Sequence, residues 1–284
     1  MKKTFSKEYF FLVAWLLPLL QSCEQAVELG TLPYEEKLVV QAVLDPEESV
    51  PQFYFTRTFS LNEIFTPEKA AIRNVVGRIE SEGISYPLGY AGALVRGTTP
   101  TGFATYEAPG LVIRPGKTYT LVASWNGHSL EVTTRVPDSA TVDTTYLRKD
   151  SSLVGATYFV TTELKSQNNT VYTADYEFPG IVFPIYGDFR TALIKPSTAG
   201  EAVNLNVFLG SSYYSKWKDS LYSKVISFDE PFYEYYGSRR NSRPTSLGYS
   251  FLGGSPGSVF WNVEGDGLGM FIGRTVTKKK VFVP

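Results

Sequence analysis

Cysteine and histidine are nearly missing from this chain, which holds one of each, Cys23 and His128. A lone thiol excludes an intrachain disulfide, so stability has to come from apolar burial. Zinc sites draw on several Cys and His ligands, and with one of each the chain offers no such set; no metal or cofactor site is read from it. A dominant charge sign is lacking as well. The 27 basic and 28 acidic side chains give a formal charge of −1, and so near a balance forces no basic face and argues against nucleic acid as a partner. Long hydrophobic runs are also absent. No stretch approaches the ~20 apolar residues that a membrane-spanning helix needs.

The apolar segment nearest that length comes first. Lys2, Lys3 and Lys7 precede Tyr9–Leu20, a run interrupted only by Pro18. As a helix it would reach roughly 18 Å at ~1.5 Å per residue, well short of the ~30 Å hydrocarbon core. It therefore reads as the hydrophobic region of an export signal and not as a permanent span. Leu20-Gln21-Ser22-Cys23 closes it and resembles the bacterial lipobox, with an aliphatic residue at −3 and a small one at −1. Cleavage between Ser22 and Cys23, with lipid on the Cys23 thiol, is the expectation. Removal of Lys2, Lys3, Lys7 and Glu8 would leave 24 basic and 27 acidic residues and a charge of −3.

What the chain has in quantity is aromatic side chains and turn formers: 19 Tyr, 19 Phe, 24 Gly and 17 Pro. Tyr, Phe, Val and Thr favour strands and Gly and Pro punctuate them, so the fold is read as all-β. Residues 1–22 are taken as a lipoprotein signal peptide and 23–36 as an acidic tether. Residues 37–140 are taken as an immunoglobulin-like β-sandwich. Residues 146–284 follow as a second antiparallel β domain, sandwich or barrel, with one short helix. Leu38–Leu44 has one wholly apolar face, whereas Gln41 interrupts the other. Asn126-Gly127, between Thr118–Trp125 and Ser129–Val136, is the sharpest hairpin signal, because a type I′ turn needs two residues at positive φ. Strands are also expected at Phe53–Thr58, Ala71–Ile79, Ile84–Leu88 and Thr157–Lys165. Further on they are expected at Val171–Phe178, Ile181–Ile185, Asn204–Leu209, Leu221–Phe228, Val259–Val263, Met270–Val276 and Lys280–Val283. Phe232–Arg240 is the helix, with Asp229 as its cap and Pro231 in its first turn.

Patterns that suggest catalysis fail on their context. Gly253-Gly-Ser-Pro-Gly257 matches G-x-S-x-G, yet that elbow must open a helix and a strand-like run follows here. Gly265, Gly267, Gly269 and Gly273 lack dinucleotide-loop spacing and read as a tight turn and bulge. Asp175/Glu177 and Asp229/Glu230 read as surface pairs. No catalytic residue is assigned. The candidate ligand or partner surface is aromatic: Tyr213, Tyr214, Trp217, Tyr222, Tyr233, Tyr235 and Tyr236, with Arg239 and Arg240 beside it.

Several residues recur in a known order: Cys23, Leu38-Val-Val40, Arg57-Thr58, Pro115–Leu121, Val136-Pro137, Ser227–Tyr236 and Asn262–Phe271. Together they resemble the Bacteroidota lipoproteins grouped as domain-of-unknown-function family 4249. The resemblance implies an outer-membrane lipoprotein, anchored through Cys23 and often encoded beside a TonB-dependent transporter; it supplies no catalytic residues. The expectation is a non-enzymatic accessory or ligand-binding component of a TonB-dependent uptake system. A structural or adhesive surface protein is the alternative, and a carboxylate-dependent hydrolase comes after it.

Overall fold

A computed structural model describes residues 34–60, 62–96, 99–150, 157–178, 191–209, 220–241 and 258–283. Glu36–Phe59 and Ile64–Pro284 form one compact unit, and the other unit, Met1–Glu35 with Ser60–Glu63, lies mostly outside the described residues. Among the described residues strand accounts for 57% and helix for 8%, which makes the fold all-β. The first half runs β1 (Leu38–Leu44), β2 (Gln52–Arg57), α1 (Pro67–Ala70), β3 (Val76–Ser81), β4 (Ile84–Pro87), β5 (Gly89–Arg96), β6 (Thr99–Glu107), β7 (Thr118–Trp125) and β8 (His128–Arg135). The second runs β9 (Val142–Asp150), β10 (Thr157–Lys165), β11 (Thr170–Glu177), β12 (Ala202–Leu209), β13 (Tyr222–Asp229), α2 (Pro231–Asn241), β14 (Glu264–Gly265) and β15 (Gly267–Lys280).

Among the described residues the strands form three sheets. The largest has the order β11-β13-β15-β1-β2-β6-β5, so strands from before and after residues 140–146 share it. Its seam is the parallel pairing of β1 with β15, Val40 opposite Gly269 and Ala42 opposite Phe271. A second sheet runs β14-β8-β7-β3-β4 and a third β12-β10-β9. Among the described residues none closes into a barrel.

Alternation decides which face does what. Leu38, Val40, Ala42 and Leu44 of β1 point with Phe53 and Phe55 of β2 into one core, where Ile79, Tyr119, Leu121, Leu130 and Val132 of the second sheet meet them. That is the expected β-sandwich, completed by Phe271 from far along the chain. On the same face of the large sheet, Tyr172, Ala174, Tyr176 and Val225 meet Leu164, Val203, Leu205 and Val207 of the third sheet in another core. The opposite face carries Ile226, Phe228, Met270 and Ile272, and α2 covers them. One large sheet therefore backs two smaller ones and keeps its other face for the helix.

Glycine makes the seam possible. Gly269 lies at φ +135° and a Cβ there would overlap the Val40 carbonyl oxygen, so only glycine lets β15 run against β1 in this register. At Gly273 a Cβ would come within 2.5 Å of the Arg135 carbonyl oxygen. Where a tight turn and bulge were expected, Gly265 closes β14 and Gly267, Gly269 and Gly273 lie within β15, with Gly265 and Gly269 at positive φ.

Local chemistry otherwise follows the sequence at most elements. Asn126 and Gly127 adopt φ of +46° and +86°, the type I′ hairpin. The helix spans Pro231–Asn241, with Glu234 in its first turn and Arg239 and Arg240 in its last. Several expectations need correction. Asp229 does not cap the helix; its carboxylate reaches across to β8 instead. Lys280–Val283 is not a separate strand: β15 runs on to Lys280, and only a bridge from Phe282 to Tyr146 follows. Val259–Val263 is not a strand: Asn262 takes the place of a ladder, donating to the Phe271 carbonyl at 2.7 Å and accepting from the Phe271 N–H at 3.1 Å. Ala71 begins no strand, because Thr66 caps a short helix at Pro67–Ala70 before it. β5 and β6 fall between residues 89 and 107, where no strand was anticipated, and the expected strand Ile181–Ile185 lies outside the described residues.

Candidate functional site

The face of the large sheet that turns away from the two smaller sheets gathers the described candidate residues other than Tyr222. Phe232, Tyr235 and Tyr236 share one side of α2 through their i, i+3, i+4 spacing. Phe232 stacks on Phe228 with ring centroids 4.1 Å apart and planes 18° from parallel. Tyr235 and Tyr236 lie 6.2 Å and 6.1 Å from Phe232, and Tyr235 lies 5.8 Å from Trp261. These two tyrosines are half-buried and help to fasten the helix.

Tyr233 points the other way and is exposed, with the Lys195 ammonium 5.7 Å from its ring. Lys195 also pairs with Glu230 at 2.8 Å, which holds the Lys195 pKa above its ordinary value. The Arg239 guanidinium sits 6.0 Å over Tyr235, and Arg240 is exposed. Tyr222 is not part of this group. It opens β13 opposite Glu177, and the six residues to Phe228 span roughly 20 Å at ~3.3 Å each. Ser22, Cys23, Tyr213, Tyr214 and Trp217 lie outside the described residues, as does the Gly253–Gly257 loop.

Beside the helix, on the same sheet face, lies a cleft of about 560 Å³ lined by Gln41, Val43, Glu48, Gln52, Tyr54 and Arg274 among others. Val43 belongs both to the cleft and to the apolar cluster under α2, so the two features adjoin there. Register explains the floor. Gln41 of β1 is opposite Tyr54 of β2 and Met270 of β15, and all three point away from the sandwich core. The residues are joined by long-range pairings that spacing alone does not reveal. Arg274 donates from Nε to Asp45 at 2.6 Å, across 229 positions of sequence. Asp45 is 2% exposed and also accepts the Glu47 N–H at 2.9 Å, which fixes the loop over the cleft. Burial raises the Glu48 pKa against the opposing pull of Arg274, and burial together with Glu48 raises that of Tyr54. The single sequence signal for this cleft was Gln41, a polar residue on the second face of β1.

The remaining sequence candidates are engaged in holding the fold. Asp229 accepts from the Thr134 hydroxyl at 2.7 Å and the Arg135 N–H at 3.0 Å, and Thr134 in turn accepts the Gly273 N–H at 2.8 Å. Glu177 pairs with Lys278 at 3.1 Å. His128 lies with Nδ1 2.5 Å from Asp266, and this hydrogen bond holds the Asp266 carboxyl below its usual range. Among the described residues no helix is long and apolar enough to cross a membrane.

Residues 24–280 match the family described as "Domain of unknown function (DUF4249)", and the chain belongs to that family. No curated protein matches the chain.

Proposed function

We propose that this family member is an outer-membrane-anchored lipoprotein, a non-enzymatic accessory or ligand-binding component of a TonB-dependent uptake system. The observation that carries the reading is Leu20-Gln21-Ser22-Cys23 at the end of a basic, then apolar, leader. The family match opens at residue 24, directly after Cys23, which agrees with a mature body that begins there. A single acyl chain anchors only marginally, whereas two or more make attachment stable. The resemblance to bacterial lipoproteins implies three on Cys23. In this reading the acidic stretch from Glu24 to Glu36 is the tether. The β body stands at the membrane surface and offers the cleft and the helix face beside it.

Two measurements test the proposal. Cys23→Ser is expected to release the protein from membrane fractions or to stall processing of the leader; normal processing and retention would refute the anchor. A tagged chain purified from detergent-solubilised outer membrane is expected to retain a TonB-dependent transporter, and a preparation without one refutes the partnership.

A further inference from the structure

We infer that the cleft between the Asp45–Val50 loop and Arg274 binds a small organic solute through a primary ammonium group, with Glu48 as counter-ion and Tyr54 as an aromatic wall. This names a ligand class for the binding role proposed above and rests on that reading. The cleft's volume of about 560 Å³ falls within the roughly 300–1,000 Å³ typical of small-molecule sites. It is half-open, with Val43 as the apolar part of its floor and amides at Gln41 and Gln52.

Charge selects the ligand. Arg274 is the cation of the cleft, and Asp45 already holds it at 2.6 Å with a carboxylate that is almost wholly buried. Its Nη2 reaches Glu48 only at 3.6 Å. Two carboxylates thus share one guanidinium, and the nearer one is built into the loop. Glu48 is left lining the cavity with only a share of one guanidinium, and burial raises its pKa more than Arg274 lowers it. An ammonium entering beside Glu48 would supply the missing positive charge. Tyr54 is close enough to couple electrostatically to Glu48, and its ring face favours the same cation. Its hydroxyl is held by donation to the Gln52 side-chain Oε1 at 2.8 Å, so the wall is set before the ligand arrives. An anionic solute would instead meet Glu47 and Glu48 at the mouth, with Arg274 already committed.

Amino sugars and lysine side chains of peptides both present this chemistry, and equilibrium dialysis at low ionic strength separates them. The full chain, purified in detergent, would be dialysed against glucosamine or N-acetyl-lysine amide. Their partners, N-acetylglucosamine and the Nε-acetylated lysine amide, differ by loss of the charge. At least one amine is expected to bind at least tenfold more tightly than its acetylated partner, and which one binds identifies the source. Glu48→Gln is expected to weaken binding at least tenfold. Gln41→Lys, which puts a competing ammonium on an exposed floor position, is expected to do the same. Glu163→Gln, on the third sheet, is expected to leave binding unchanged. Equal binding of the acetylated compounds, affinity unaltered in both cleft variants, or binding of calcium ions alone would overturn the inference. A chain that takes up no amine but still copurifies with a transporter would sink the ligand class and leave the membrane reading standing.

Discussion

Asp229→Ala is expected to loosen the joint where the second sheet meets the large one. The side chain is 8% exposed and sits at the end of β13, where one carboxylate oxygen accepts both the Thr134 hydroxyl and the Arg135 N–H. Thr134 then accepts the Gly273 N–H, so one carboxylate connects β13, β8 and β15. Alanine leaves the Arg135 N–H without that acceptor and the Thr134 hydroxyl without its own. A buried donor left unsatisfied costs about 1–3 kcal/mol, and a hydroxyl that can rotate costs less than a fixed amide. A total of roughly 2–4 kcal/mol follows from those two losses. Asparagine keeps an acceptor oxygen and removes the charge, which separates hydrogen bonding from ionisation. Burial raises the folded pKa of Asp229 above its unfolded value, despite the hydrogen bonds that favour the charged form. The protonated group therefore contributes stability that is fully present below the unfolded pKa and is lost as pH rises through the raised folded value. Asp229→Asn has no such dependence. Its stability relative to wild type is expected to improve as pH rises from about 4 to 7. Urea unfolding of the three proteins at a series of pH values, followed by tryptophan fluorescence, measures both quantities. An alanine penalty below about 0.5 kcal/mol, or a wild-type-to-asparagine difference that ignores pH, would refute the reasoning.

Gly269→Ala is expected to cost at least ~2 kcal/mol, at the upper end of what overpacking does, because the obstacle is the Val40 carbonyl and not a side chain that can rotate away. Loss of cooperative unfolding would fit the same cause, whereas a wild-type urea midpoint would contradict the close approach. Asn262→Leu should lower stability by about 1–3 kcal/mol by orphaning the Phe271 N–H and carbonyl. Amide exchange at Phe271, slow in the wild type and fast in the variant, would identify the clasp as the reason.

Local periodicity and turn chemistry were legible from the residues. β1, the Asn126-Gly127 hairpin, β10 and α2 all came from short-range patterns whose physical cause lies within a dozen residues. The pairing of β1 with β15 could not be seen that way. Apolar alternation says that a strand has a core face and is silent about its neighbour, and these two strands lie at opposite ends of the chain. Val259–Val263 shows the converse error. Its apolar run looks like a strand, but the backbone of β15 meets it through the Asn262 side chain.

The candidate surface divides in the same manner. The aromatic spacing on α2 was visible, but only packing shows that Tyr235 and Tyr236 fasten the helix while Tyr233 projects from it. The cleft was almost invisible in advance, because Arg274 and Asp45 meet only after the sheet has formed.

By itself the sequence determined the class of fold and, with one cysteine, the lack of an intrachain disulfide. Each depends on composition or on residues adjacent in the chain. Tertiary structure alone decided that one sheet backs two others and that Asp229 joins strands instead of capping a helix. It also decided that a polar cleft opens beside the aromatic helix. Those outcomes rest on which strand lies next to which, and hydrogen-bonded ladders between distant segments carry no mark in either segment alone.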